Sequence, residues 1–282
     1  MLVTGGSRGI GAATARALAA QGARLALVGL EPDGLRATAR ACGPSATFHE
    51  ADVADPVALQ AAVDDALRSH GRLDIVFANA GIAIMGPLHL LEPADVERQI
   101  RVNLLGTFNT ARATAQALID ARGYLLLNAS IAAVAGIPSL GAYAASKAGI
   151  VALADVLRAE LAHHDVAVGV AYFGWVATDL VRADAHPDLR AIRTGAPRPL
   201  STAIPVERAV DAIVHAIDGR RRRAVAPRWL APALPLAGIV RPLLEIAARR
   251  YAPELEERWV RAARERGVYD VSRPRGPSRT GT

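Results

Sequence analysis

Lysine is almost missing from this chain. Of 33 basic residues, 32 are arginines and one, Lys147, is a lysine. Wherever any positive charge would serve, arginine is used, so the exception marks a position that calls for a compact ammonium on a flexible stem. Cysteine is as scarce. A single residue, Cys42, excludes an internal disulfide, and a lone cysteine reads first as a small apolar side chain. Aromatic residues make up only 4% and do not interleave with the basic ones, which argues against a nucleic-acid binder. The opening Met1-Leu-Val-Thr-Gly-Gly has neither the basic nor the apolar region of a secretory leader, so a cytoplasmic protein is expected. The most apolar late stretch, residues 229–248, is broken by Pro232, Pro235 and Pro242 and carries Arg241 and Glu245. A membrane-spanning helix is therefore excluded there.

What remains is a globular composition, 51% hydrophobic and 21% charged over 282 residues, enough for one large α/β unit with a sizeable core. Short apolar runs alternate with longer amphipathic ones from residue 1 to about residue 227, the pattern of βαβ units. Seven strands are expected, at residues 1–4, 24–29, 46–53, 73–78, 123–129, 166–172 and 223–226. The run at 73–78 is apolar almost throughout, as a strand buried on both faces requires. Helices are expected at 12–21, 33–41, 57–70, 143–163 and 206–218, with one long helix or two abutting ones over 94–121. The fold class is α/β, a doubly wound parallel sheet of Rossmann type with a C-terminal helical extension. Residues 1–227 form the main domain, 228–271 the extension and 272–282 a disordered tail. The first strand is short for a sheet centre, so either the chain starts upstream of Met1 or the centre is thin.

Tyr143 precedes Lys147 by four residues in a run that reads as helix, which puts both side chains on one face. A free tyrosine, with a pKa near ~10, is a poor base at neutral pH. A neighbouring cation lowers it, so the pair reads as a general acid/base with an electrostatic tuner. Ahead of it, Thr4-Gly-Gly-Ser-Arg-Gly-Ile-Gly11 lies between a strand and a helix. Gly5, Gly9 and Gly11 permit positive φ and close backbone approach, and a helix N-terminus presents N–H groups to a pyrophosphate.

These residues, with Asp52-Val53, Asn79-Ala80-Gly81, Asn103 and Ser130, resemble the signature set of the short-chain dehydrogenase/reductase family in order and approximate spacing over residues 1–227. The resemblance implies an NAD(P)-dependent oxidoreductase interconverting a secondary alcohol and a ketone. The alternative is a cofactor-binding regulatory protein without turnover. Catalysis would fall to Asn103, Ser130, Tyr143 and Lys147. Ser130 would bond the substrate oxygen, Tyr143 would move the proton, Lys147 would hold the ribose and lower the tyrosine pKa, and Asn103 would anchor a relay water. The dinucleotide would be held by Gly5, Ser7, Arg8, Gly9, Ile10 and Gly11, by Asp52 and Val53 at the adenine, by Asn79, Ala80 and Gly81, by Tyr143 and Lys147, and by Val176 and Thr178 at the carboxamide. Asp52 has a second reading as a turn-capping residue. The family's Pro-Gly-x-Val-x-Thr is here Phe173-Gly-Trp-Val-Ala-Thr178, with phenylalanine for proline. No metal is expected.

Cofactor choice turns on charge. The second strand ends at Gly29, without the carboxylate that would repel a 2′-phosphate, and Arg8 could pair with one, so NADP is expected, with NAD possible and Glu31 still within reach of a ribose. Residues 175–204 would form a substrate lid in which Leu180, Leu189, Ile192 and Leu200 supply apolar surface or core packing, suggesting a steroid, acyl or terpenoid substrate. From Arg190 onward 19 arginines face 9 acids, a balance of +10, against −4 before it. The basic extension would either touch an anionic membrane peripherally or pack over the substrate pocket or a subunit interface. As in other members, a homodimer or homotetramer through the long helices is expected.

Overall fold

Seven strands run parallel: β1 (Leu2–Thr4), β2 (Ala26–Gly29), β3 (Thr47–Glu50), β4 (Ile75–Ala78), β5 (Tyr124–Asn128), β6 (Ala167–Phe173) and β7 (Arg223–Ala226). Their spatial order is β3-β2-β1-β4-β5-β6-β7. The computed structural model describes residues 1–178, 202–266 and 269–270. Leu180, Leu189, Ile192 and Leu200 of the expected lid, and the tail 272–282, lie outside the described residues.

β1 is indeed three residues long, yet Leu2 pairs with both Ala26 and Val76, and Val3 with both Leu27 and Phe77. A central strand bonded on both sides needs few residues. Because successive side chains point to opposite faces, Leu2, Val76, Leu125 and Leu127 enter one core and Val3, Leu27, Phe77 and Leu126 the other. The first core is covered by α3 (Pro56–His70), α5 (Gly106–Ala121) and α6 (Gly141–Glu160), through residues such as Val63, Leu118 and Ile150. The second is covered by α1 (Gly9–Ala19), α2 (Pro32–Cys42) and α7 (Val206–Asp218), through Leu18, Leu35 and Ile213. Burial on both faces is why these strands read as apolar runs.

The chain leaves β1 toward β2 and β3, then returns to place β4 on the other side of β1. That reversal opens a crevice at the carboxyl ends of β1 and β4, where doubly wound sheets bind ligands.

Residues 94–121 form two α-helices, α4 (Pro93–Ile100) and α5, joined by a π-helical turn over Arg101–Leu105. A Cβ on Gly106 would lie 2.5 Å from Val53 Cγ2, so only glycine lets α5 come this near the end of the third βα unit. Such π-turns concentrate at functional sites, and this one carries Asn103.

Beyond β7 come a 3-10 segment (Arg228–Ala233), α8 (Ala237–Ala248) and α9 (Ala252–Arg266). Leu255 and Trp259 of α9 are buried in a third cluster with Ala83, Met85, Ala132 and Leu140, beside Tyr143 and Trp175. Of the readings left open for the extension, α9 therefore adopts packing over the pocket. Tyr269–Asp270 then pairs antiparallel with Ile84–Met85. No helix among the described residues is long and apolar enough to cross a membrane.

Candidate active site

The glycine turn has the backbone its sequence demands. Gly5 and Gly9 sit at φ 66° and 58°, a region costly to other residues. A Cβ on Gly11 would fall 2.1 Å from the Gly5 carbonyl oxygen. α1 starts at Gly9 with no side-chain cap and no acidic residue in its first turn. Its leading N–H groups and positive dipole end suit a phosphate. Gly9 also faces Thr178, whose Cγ2 would be 3.6 Å from an added Cβ, and Ile10 lines the cleft with Val176 and Thr178. The turn after β1 and the segment after β6 thus enclose one space.

From the turn a chain of hydrogen bonds crosses the sheet. Thr4 Oγ1 accepts from the Asn79 and Ala80 amides at 3.0 and 3.1 Å, and Asn79 Nδ2 donates to the Thr4 carbonyl at 3.0 Å. Asn128 Nδ2 donates to Asn79 Oδ1 at 2.9 Å, and Lys147 Nζ donates to the Asn128 carbonyl at 2.7 Å. Sequence reasoning did not find Asn128. Its signal was a polar residue closing an apolar strand two positions before Ser130.

Ser130, just past β5, accepts from the Ala132 amide at 3.1 Å, and it lines the cleft beside the partly buried Tyr143 from the first turn of α6. Lys147, one turn on, is 3% exposed, with Nζ 5.7 Å from the Tyr143 ring centroid. Tyr143 and Lys147 do share a face, as their spacing predicts.

The direction of the tyrosine's shift is a correction. Burial dominates and pushes the Tyr143 phenol up, with the neighbouring Ser130 hydroxyl pulling it back. The ammonium is turned to the Asn128 carbonyl, and burial pushes Lys147 itself down to about 8. Burial in low dielectric disfavours the charged form of both groups.

Asn103 is a clamp. Its Oδ1 accepts from the Ile82 amide at 2.8 Å, while Nδ2 donates to the Ile82 carbonyl at 3.0 Å and to Ser146 Oγ at 3.1 Å. Ser146 in turn donates to the Tyr143 carbonyl at 2.7 Å. A Cβ on Gly81 would lie 3.1 Å from Asn103 Oδ1 and 3.5 Å from Lys147 Nζ, so the two groups flank that glycine. The Asn103 side chain is occupied with holding the loop and α6 in register.

Four other positions refine the expectations. Asp52 Oδ1 accepts from the Ala54 amide at 2.8 Å, which is the turn-capping geometry. Ser7 Oγ donates to Glu31 at 2.5 Å, and Arg8 Nε bonds both Glu31 oxygens at 3.1 and 3.3 Å. The guanidinium expected to meet a 2′-phosphate is thus engaged by a carboxylate. Phe173, where the resemblance has proline, is a buried last residue of β6.

The cleft joining these groups spans about 670 Å³ with its open mouth included. Asn128, Ser130 and Tyr143 lie on one wall, with Met85, Ile131, Ile137, Leu140 and Trp175 making the rest apolar. Few polar groups converging in an apolar cavity is the usual form of a small-molecule site. The tight Gly11 approach and the uncapped α1 terminus fit a dinucleotide pyrophosphate.

Comparison with known proteins agrees. The family model for short chain dehydrogenase matches residues 1–188. The chain is 38% identical over 183 residues to D-threitol dehydrogenase of Mycolicibacterium smegmatis, covering 64% of this chain and 70% of that protein. A short-chain dehydrogenase/reductase from Burkholderia phymatum in complex with NAD superposes with TM-score 0.73 at 25% identity, covering 83% and 91% of the two chains. An alcohol dehydrogenase from Thermococcus sibiricus complexed with 5-hydroxy-NADP superposes with TM-score 0.69 at 28% identity, covering 79% and 93%.

Proposed function

This chain belongs to the short-chain dehydrogenase family of nicotinamide-dependent oxidoreductases, and we propose that it interconverts a secondary alcohol and a ketone on an apolar substrate, with Tyr143 as general acid/base. The carrying observation is that the partly buried Tyr143 and Ser130 line the same apolar cleft, which also reaches the glycine turn at Ile10.

A bound nicotinamide would supply or accept the hydride, and the protein's work is to hold the substrate oxygen and manage one proton. In the reducing direction Ser130 donates a hydrogen bond to the carbonyl oxygen and Tyr143 gives that oxygen its proton. The raised phenol suits this, because it keeps its proton at neutral pH. In the oxidising direction Tyr143 must take the proton, so the Ser130 hydroxyl and the Lys147 cation, which favour the phenolate, matter more. Asn103 and Asn128 act by fixing α6 and the ammonium.

The residues that would hold the dinucleotide are the turn from Gly5 to Gly11, Asp52 and Val53, Asn79 to Gly81, Lys147, Val176 and Thr178. Sequence favoured NADP through Arg8. The Arg8–Glu31 pair supports NAD instead, since a 2′-phosphate would have to displace Glu31 and then sit beside its charge, whereas a 2′-hydroxyl can donate to it. The apolar cleft, whose lining residues Met85, Ala132 and Leu140 are backed by Leu255 and Trp259, supports an apolar substrate. Leu105 and Phe108, exposed at the head of α5, support oligomerisation through the long helices.

The test is a cofactor absorbance assay over a panel of apolar secondary alcohols and ketones with both dinucleotides, run in single and multiple turnover. Turnover on apolar pairs that depends on Tyr143 is expected. Dinucleotide binding without any single-turnover hydride transfer would instead support the regulatory reading.

A further inference from the structure

α8 carries an apolar face that nothing among the described residues covers. Leu236, Ile239, Leu243 and Ile246 are 51, 69, 64 and 56% exposed, and Trp229 on the preceding 3-10 segment is 48% exposed. The spacing 236, 239, 243, 246 keeps these side chains on one side of the helix. The other side is anchored. Ala248 is buried, and Arg241 donates to the carbonyls of Ala133 and Val134 at 2.8 and 3.2 Å. The face is therefore held outward by a fixed attachment to the loop after β5, which lines the cleft.

The charge around this face selects its partner. Residues 228–251 contain four arginines, Arg228, Arg241, Arg249 and Arg250, and one acid, Glu245, a balance of +3. Arg228, Arg249 and Arg250 flank the apolar side chains in sequence and are exposed. An isologous contact with a second copy would confront this basic surface with itself. An anionic bilayer complements both features at once, taking the apolar side chains below its headgroups and meeting the arginines with lipid phosphate and carboxylate.

We propose that α8 and the segment before it dock this protein peripherally on anionic membranes. Docking would set the rim of the cleft at the bilayer. Its use for delivering an apolar substrate rests on the dehydrogenase reading, whereas docking itself does not.

The test is flotation of the full chain with vesicles of phosphatidylcholine alone or with about 30 mol% phosphatidylserine. The expected result is binding to the anionic vesicles only, weakened at least about tenfold by raising NaCl to about 0.5 M. The triple variant Ile239→Ser, Leu243→Ser, Ile246→Ser should lose binding, and Arg228→Gln, Arg249→Gln, Arg250→Gln should weaken it at least about tenfold. Both should keep the particle mass by light scattering and, because none of these residues lines the cleft, the turnover on a water-soluble alcohol. Failure of the wild-type chain to float with anionic vesicles overturns the proposal. So does a serine variant that still floats, or one whose particle mass drops, which would assign the face to a second copy. Flotation without turnover would instead remove the dehydrogenase reading and leave docking intact.

Discussion

Lys147 Nζ donates to the backbone carbonyl of Asn128 across 2.7 Å, so the chain's single lysine is tied to the end of β5 while lying 5.7 Å from the Tyr143 ring centroid. Asn128 uses its side chain to hold Asn79 and its carbonyl to hold the ammonium. One residue thus links the glycine turn to the acid/base pair.

Tyr143→Phe removes the phenol proposed to exchange a proton with the substrate oxygen. Turnover should fall by ~10²–10⁴, while dinucleotide fluorescence titration and the thermal melt stay as in the parent. Undiminished turnover would reassign the acid/base.

The buried lysine makes stability depend on pH in a stated direction. Its folded-state pKa is pushed down to about 8 from an ordinary 10.5. Below about 8 it is charged in both folded and unfolded chains, and folding bears the full burial cost. As pH rises past 8 the folded protein releases its proton first and stability climbs. The window closes near 10, where Tyr124, Tyr143, Tyr172 and Tyr251, all raised by burial, work in the opposite sense. Thermal melts from pH 7 to about 9.5 should show the rise, and Lys147→Met should flatten it while abolishing turnover. Oxidative turnover of the parent should lose the help of the ammonium above about pH 8, where Lys147 gives up its proton.

Glu31→Gln leaves Arg8 facing the ribose edge without an opposing charge. The ratio of kcat/KM with NADP to that with NAD should rise by about tenfold, the equivalent of ~1.4 kcal/mol. Arg8→Ala should lower the same ratio. Unchanged ratios in both would move cofactor selection to another residue.

Asn128→Leu keeps the carbonyl that holds Lys147 but leaves Asn79 Oδ1 without its donor. A loss of ~1–3 kcal/mol in denaturant titration is expected, with weakened dinucleotide binding as Asn79 loosens from Thr4 and Gly5.

Trp259→Ala empties the third core cluster on the pocket side. It should cost ~3–5 kcal/mol if the site does not collapse and raise KM for apolar substrates more than it lowers kcat. Equal KM values would detach α9 from substrate binding.

Local sequence was sufficient wherever a residue's chemistry is set by its near neighbours. Continuous apolar runs such as 124–127 and glycines such as Gly5, Gly9 and Gly11 determine strands and a turn whatever lies beyond them, and four-residue spacing determines that Tyr143 and Lys147 share a face. Only the tertiary structure could decide where the ammonium points, since Asn128 is 19 residues away and competes for it through a strand end. It also decided that Arg8 meets Glu31 across 23 residues, that Asn103 clamps residue 82, and that α9 returns over the cleft. Burial, which raises one partner's pKa and lowers the other's, exists only once distant segments exclude water. For that reason the juxtaposition of Tyr143 and Lys147 was legible in the sequence and the direction of the phenol's shift was not.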